Sequence, residues 1–241
     1  MSDSEPRRPR LPVAGLTPMT TLDYPGHLAA VIFLQGCPLR CGYCHNPQML
    51  APRKAEITEW AEVEAFLDTR RGLLEGVVFS GGEPTLHADL PLAAARVRAL
   101  GFKVGLHTAG AYPRRLAAML PWLDWVGLDV KGPATQFDAI VGRPGMGAAH
   151  QESLAQLLAS DVKFECRTTV HWRDFDLDSL RRLALDLATQ GVEHYAIQLA
   201  RPWQCLDPAY AAPFIDRPRN EALESLLASL RPTFEWLELR N

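Results

Sequence analysis

The sequence predicts an α/β fold on a parallel sheet, an incomplete (β/α)6 TIM-like barrel. Short apolar, β-branched-rich runs alternate with longer segments of helical spacing, the signature of βαβ units. Six such runs occur, two fewer than a closed eight-stranded barrel needs. The 241-residue length suits a single α/β domain. A doubly wound open sheet is the alternative. In either architecture, function collects at the C-terminal ends of the strands.

The six predicted strands are Leu28 to Gln35, Gly76 to Ser80, Phe102 to Thr108, Trp125 to Val130, Val162 to Val170 and His194 to Leu199. Tyr24-Pro25-Gly26 marks a turn before the first. Helices are predicted over 58–71, with Thr58 as N-cap, and over 90–100, closed by Gly101. Others cover 113–120, opened by Pro113, then 152–160, 179–190, ended by Gly191, and 220–230. Gly142 to Gly147 reads as a glycine-rich loop. Pro6, Pro9 and Pro12 alternate with Arg7, Arg8 and Arg10, so residues 1–14 read as a flexible tail and 15–241 as one domain.

A net charge of −3 argues against non-specific binding to nucleic acid or anionic membranes. No basic–aromatic stripe suggests base stacking, and the tryptophans, Trp122, Trp125 and Trp203 among them, read as core or subunit-contact residues. No apolar run reaches the roughly 18 residues of a membrane span, and no secretory signal is visible. A cytoplasmic protein is expected.

Five cysteines without a signal argue against a disulfide framework. Cys37, Cys41 and Cys44 fall within eight residues, directly after the first predicted strand. Thiolates are the usual ligands of iron–sulfur clusters, and three of them leave one iron of a 4Fe–4S cube open. Zinc is the rival, but a structural zinc site needs four ligands, and no second Cys-x-x-Cys pair exists. Cys166 and Cys205 read as incidental thiols.

Gly81-Gly82-Glu83 follows the second strand, where two glycines permit close backbone approach. Asp129 and Lys131 end the fourth strand one residue apart, so they share a face. Lys163, Glu165, Arg167 and Thr169 alternate with apolar residues in the fifth, giving a polar face that is either a solvent edge or a barrel interior. Gln198 and Arg201 end the sixth.

Cys-x-x-x-Cys-x-x-Cys with Tyr43 before the last cysteine resembles the signature of the radical S-adenosylmethionine superfamily, and Gly81-Gly82-Glu83 resembles its second motif. Thr21 to Gly26, Cys44-His45-Asn46-Pro47 and Gly127 to Lys131 narrow the resemblance to glycyl-radical-enzyme activases, above all those of anaerobic ribonucleoside-triphosphate reductase. The resemblance implies a 4Fe–4S cluster on Cys37, Cys41 and Cys44 and S-adenosylmethionine as cofactor. It implies a glycyl radical enzyme as partner and a flavodoxin- or ferredoxin-type electron donor. It places Tyr43 near the adenine or cluster, although a core aromatic is the alternative. Gly81, Gly82 and Glu83 are expected around the methionine amino group. Lys131, paired with Asp129, is expected at the cofactor carboxylate, and Arg167 near the carboxylate or ribose. His107 and Thr108 stand where pyruvate formate-lyase activases carry Asp-Thr, whose acid helps hold a monovalent cation and the cofactor. His107 replaces that acid, and a satisfied structural histidine is the competing reading. A radical enzyme acting on a small molecule, such as a carboxy-deazaguanine synthase-like protein, and a non-catalytic metal module are the rival functions.

Overall fold

The computed structural model describes residues 7–52, 58–201, 205–211 and 218–240. Among them, eight strands form one sheet in sequential order, β1 to β8. They are β1 (Val13–Thr20), β2 (Ala29–Leu34), β3 (Gly76–Gly81), β4 (Lys103–Thr108), β5 (Trp125–Asp129), β6 (Lys163–Val170), β7 (His194–Leu199) and β8 (Trp236–Arg240). β1 pairs with β2 antiparallel, and every later pairing is parallel. The order never reverses, so the crossovers wind one way and the sheet rolls into an open α/β barrel. The doubly wound alternative needs a reversal point, which this sheet lacks.

β2 to β7 are the six predicted strands, with ends shifted by a residue or two. The flanking strands β1 and β8 are additions. β1 starts inside the stretch read as a tail, and Leu11 and Val13 are buried. Residues 1–6 and Trp203 lie outside the described residues.

The helices are α1 (Trp60–Asp68), α2 (Leu90–Ala99), α3 (Pro113–Met119), α4 (Phe137–Ile140), α5 (Met146–Leu158), α6 (Leu177–Gln190), α7 (Pro208–Ala211) and α8 (Asn220–Leu230). Thr58 is not the cap of α1. It bridges Val13, donating its N–H to Val13 O at 2.9 Å, and Glu59 takes the cap position. α5 begins within the predicted glycine loop, because Asp138 accepts from the N–H groups of Gly145 and Gly147 at its start. Asp176 and Ser179 form a reciprocal cap that starts α6 two residues early. No helix among the described residues is long and apolar enough to cross a membrane.

Alternation divides the strands between two faces. Ala30, Ile32, Leu34, Val77, Phe79, Val104, Leu106, Val126, Leu128 and Cys166 face the helices and form the main core. The opposite, inner face is aromatic toward the strand N-termini, where Tyr24 stacks on Trp125 at 5.5 Å between ring centroids. Gly76 and Gly105 make room for the Tyr24 ring, since a Cβ at Gly76 would stand 3.0 Å from it. Tyr24 and its neighbours thus plug the barrel floor, and the open end lies at the strand C-termini.

Candidate active site

Gly36, with φ +101°, turns the chain sharply out of β2. The loop it starts is tied back by Gly36 N–H to Met49 O at 2.8 Å and by the Gln35 amide to Gln48 O and Ala51 O. Within it, Cys44 N–H reaches Cys41 O at 3.0 Å, and Arg40 Nη1 donates to Cys37 O and Leu39 O. Cys41 is buried, and Cys37 and Cys44 are half-buried. Burial pushes the Cys37 thiol up to about 12, with Glu83 adding to the rise, and raises Cys41 likewise. Such thiols ionise readily only when a metal takes the proton's place.

All three cysteines line one open cavity together with Tyr43, Gly81, Gly82, Glu83, His107, Asp129, Lys131 and Arg167. Thr108 does not line it. His45, Asn46, Ser80, Ala109 and Thr169 also reach the cavity. The site therefore draws on the ends of β2 to β6. Gln198 is not among its lining residues, while exposed Arg201 touches its rim through its N–H, 3.0 Å from His45 Nε2. Cys166 is fully buried in the core on the far face of the sheet, and Cys205 donates to Arg201 O at 3.5 Å.

The glycines of 81–82 serve packing between strand ends. A Cβ on Gly81 would stand 2.4 Å from Leu34 N and O, and one on Gly82 would stand 2.2 Å from Gly36 O. Gly82 N–H and Glu83 N–H donate to Leu34 O and Gly36 O, both at 2.9 Å.

Glu83 is 1% exposed and accepts four hydrogen bonds: from Thr85 N–H (3.1 Å), Thr85 Oγ1 (2.5 Å), Thr108 Oγ1 (2.6 Å) and Ala109 N–H (2.8 Å). Burial raises its pKa against the opposing pull of these donors. Its carboxylate ties the end of β3 to the end of β4, and Thr108 serves that tie. His107 donates Nε2–H to Asp23 O at 2.9 Å and accepts from Ser80 Oγ at 3.3 Å on Nδ1. Burial, reinforced by Arg167, pushes it down to about 3, so it is neutral. With both nitrogens engaged, it joins the floor plug to the site.

Asp129 accepts from Arg167 Nε at 3.0 Å on Oδ1 and from Lys131 Nζ at 3.0 Å on Oδ2. Burial alone would raise its pKa, but the two cations outweigh burial and hold the carboxyl below the usual range. A Cβ at Gly127 would stand 2.6 Å from Arg167 Cζ, so this glycine gives the guanidinium its place. Arg167 is 8% exposed, and Glu165 on the same face is 3% exposed, which places the polar face of β6 in the barrel interior. Two cations share one carboxylate at this wall of the cavity.

The chain matches the Radical SAM superfamily over residues 31–187, about two thirds of its length. This chain belongs to that superfamily. Its members are enzymes that work with a 4Fe–4S cluster and S-adenosylmethionine. Over 221 residues, covering 89% of each chain, it is 29% identical to a Methanocaldococcus jannaschii protein assigned as a glycyl-radical enzyme activating enzyme. It is 37% identical over 93 residues to the pyruvate formate-lyase-activating enzyme of Streptococcus mutans, covering 36% of this chain and 34% of that one. The crystal structure of QueE from Escherichia coli shares the fold at a TM-score of 0.58 with 18% identity, covering 96% and 94% of the two chains.

The residues suit the family's cluster better than a lone ion. The three thiols line one cavity together, and no histidine or carboxylate completes a four-ligand set of the structural-zinc kind in the sequence motif. An all-thiol donor set is the usual one for an iron–sulfur cluster.

Proposed function

We propose that this chain is a glycyl-radical-enzyme activase, with anaerobic ribonucleoside-triphosphate reductase as its target. The observation that carries the reading is the shared cavity, lined both by the three cysteines and by the Asp129–Lys131–Arg167 group. The similarity to the M. jannaschii relative over 89% of both chains supports the activase class.

Cys37, Cys41 and Cys44 would hold the cluster. Bound there, the cluster and S-adenosylmethionine supply a one-electron cleavage of a carbon–sulfur bond and a 5′-deoxyadenosyl radical able to take hydrogen from a glycine Cα. The protein residues supply position and charge. Lys131 and Arg167, both oriented by Asp129, would hold the cofactor carboxylate. Gly81 and Gly82, which line the cavity without side chains, would leave backbone open to the cofactor amino group. Glu83, Thr108 and His107 fix the strand ends that carry these groups, and Tyr43 walls the cavity beside the loop. A flavodoxin- or ferredoxin-type protein is the proposed electron donor.

The test is anaerobic. Reconstituted, reduced protein is expected to form 5′-deoxyadenosine, and failure to do so sinks the radical assignment. Incubated with an anaerobic reductase, it is expected to raise a glycyl EPR doublet on that partner. A doublet on a different glycyl radical enzyme only would keep the activase and remove the reductase. Cofactor cleavage with no doublet on any partner would favour a small-molecule substrate.

A further inference from the structure

We infer that Tyr210 is a positioning residue that clamps the cysteine loop from outside the predicted motifs. The inference rests on the reading that this loop holds a cluster. Tyr210 lies on α7, more than 160 residues downstream of the loop, yet its ring lies flat against Gly42, between Cys41 and Cys44. A Cβ on Gly42 would stand 2.3 Å from Tyr210 Cε2 and 2.7 Å from Cδ2 and Cζ. Gly42 has no left-handed backbone to demand glycine. The ring of Tyr210 is what excludes a side chain there.

Tyr210 is itself held on several sides. Its hydroxyl donates to Asp174 Oδ1 at 2.6 Å, and its carbonyl accepts from His171 Nε2 at 3.0 Å. Its ring packs at 4.6 Å from the His171 ring and 6.4 Å from that of Tyr43, with Arg173 above it at 5.8 Å. A second link comes from the same segment, where Asp207 N–H donates to Gly42 O at 3.0 Å. His171 and Asp174 directly follow β6, the strand that carries Arg167 and Thr169. Tyr210 therefore joins the end of β6 to the middle of the cysteine loop. It sets the loop's height over the cavity and packs against the buried cluster that contains Cys41. A clamp of this kind governs how often the loop opens, and local opening is what exposes a buried thiol or a cluster edge.

The first test uses the metal-free, reduced protein, so it does not depend on the cluster. Iodoacetamide alkylation of Cys41, followed by peptide mass spectrometry, is expected to accelerate at least about tenfold in Tyr210→Ala, since each ~1.4 kcal/mol lost from local opening multiplies the open population by about ten. Alkylation of Cys166, in the core, is expected not to change and serves as the control for global unfolding. The second test is steric. Gly42→Ala is expected to lose most of its reconstituted iron and sulfide, and Gly42→Ala/Tyr210→Ala to regain a large part of both. In the reconstituted protein, Tyr210→Ala is also expected to bleach in air several-fold faster than wild type, and Tyr210→Phe, which keeps the ring, to fall between them. Unchanged Cys41 alkylation in Tyr210→Ala, or a double variant no better than Gly42→Ala, overturns the inference. If wild-type protein binds no iron and sulfide while the alkylation contrast stands, the cluster reading fails and the clamp survives.

Discussion

At the scale of single residues, the site depends on one carboxylate serving two cations. Asp129→Asn leaves Arg167 and Lys131 without a counter-ion, with side chains only 9% and 15% exposed. Removing one partner of a buried pair costs about 3 kcal/mol or more, because the stranded charge stays desolvated. Lys131→Met leaves Asp129 paired with Arg167 and is expected to cost about 1 kcal/mol or less. Urea unfolding of the metal-free variants checks that order, and equal losses would show that the carboxylate is not the hub. Buried histidines give the protein a pH signature. Burial pushes His107 down to about 3 and His150 down to about 4, and it lowers His87 and His171 too. An unfolded histidine titrates near ~6.5, so below that pH the unfolded chain takes up protons that the folded chain refuses. Stability is therefore complete above about pH 6.5 and falls as the pH drops toward 4 and then 3. Denaturation across that range is expected to show the decline, with a shallower slope in His107→Gln. A wild-type profile flat from 6.5 to 4 would contradict the buried neutral state.

At the scale of elements, the cavity exists because strand ends approach more closely than side chains permit. β3 presses its last residues against Leu34 and Gly36, and the atoms that an added Cβ would meet are backbone, which cannot swing aside. Gly82→Ala is therefore expected to cost at least about 3 kcal/mol, the upper range for overpacking. Gly81→Ala adds the strain of φ +114° to a similar contact. A thermal melt of each variant reads this directly, and a loss under about 1 kcal/mol would mean that the strand ends relax apart. The same contacts show how far the sequence could be read. β2 to β5 and β7 were legible as short, mostly apolar and buried runs, and β6 by the strict alternation of polar and apolar residues along it. β1 contains Gly15 and Pro18 and is mostly half-exposed, and β8 has five residues and no fully buried one. Both are strands because a neighbour offers hydrogen bonds, which local composition does not record. The residues named from the family resemblance sit at strand ends, and all of them but Thr108 line one cavity. The Glu83–Thr108 and Glu83–Ala109 bonds and the Tyr210 contact with Gly42 join segments distant in sequence, and no periodicity marks them.

At the scale of the whole molecule, an open barrel must shield a charged interior along its unclosed side. The last strand does this with one side chain. Arg240 on β8 reaches across β7, where small Ala196 lies in register with both Arg167 and Glu238, and pairs bidentately with Glu165 of β6 at 2.8 and 3.0 Å. The Glu165 side chain is 5% exposed, so it depends on this partner for compensation. Glu238 shares Arg240 at 2.7 Å but lies nearer solvent. The pair sits one layer below Arg167, whose guanidinium rests on Asp129. A charge stranded at Glu165 would therefore compete for Arg167 and disturb the site from beneath. Arg240→Met is expected to destabilise the fold by about 3 kcal/mol, as removal of one partner from a buried pair does. Arg240→Met/Glu165→Leu removes both charges and leaves apolar groups of similar size, and is expected to recover most of that loss. The comparison is made by urea unfolding of metal-free protein. Recovery in the double variant would show that β8 stabilises the barrel by neutralising its interior. A double variant as unstable as the single would instead assign the role of β8 to its backbone pairing with β7.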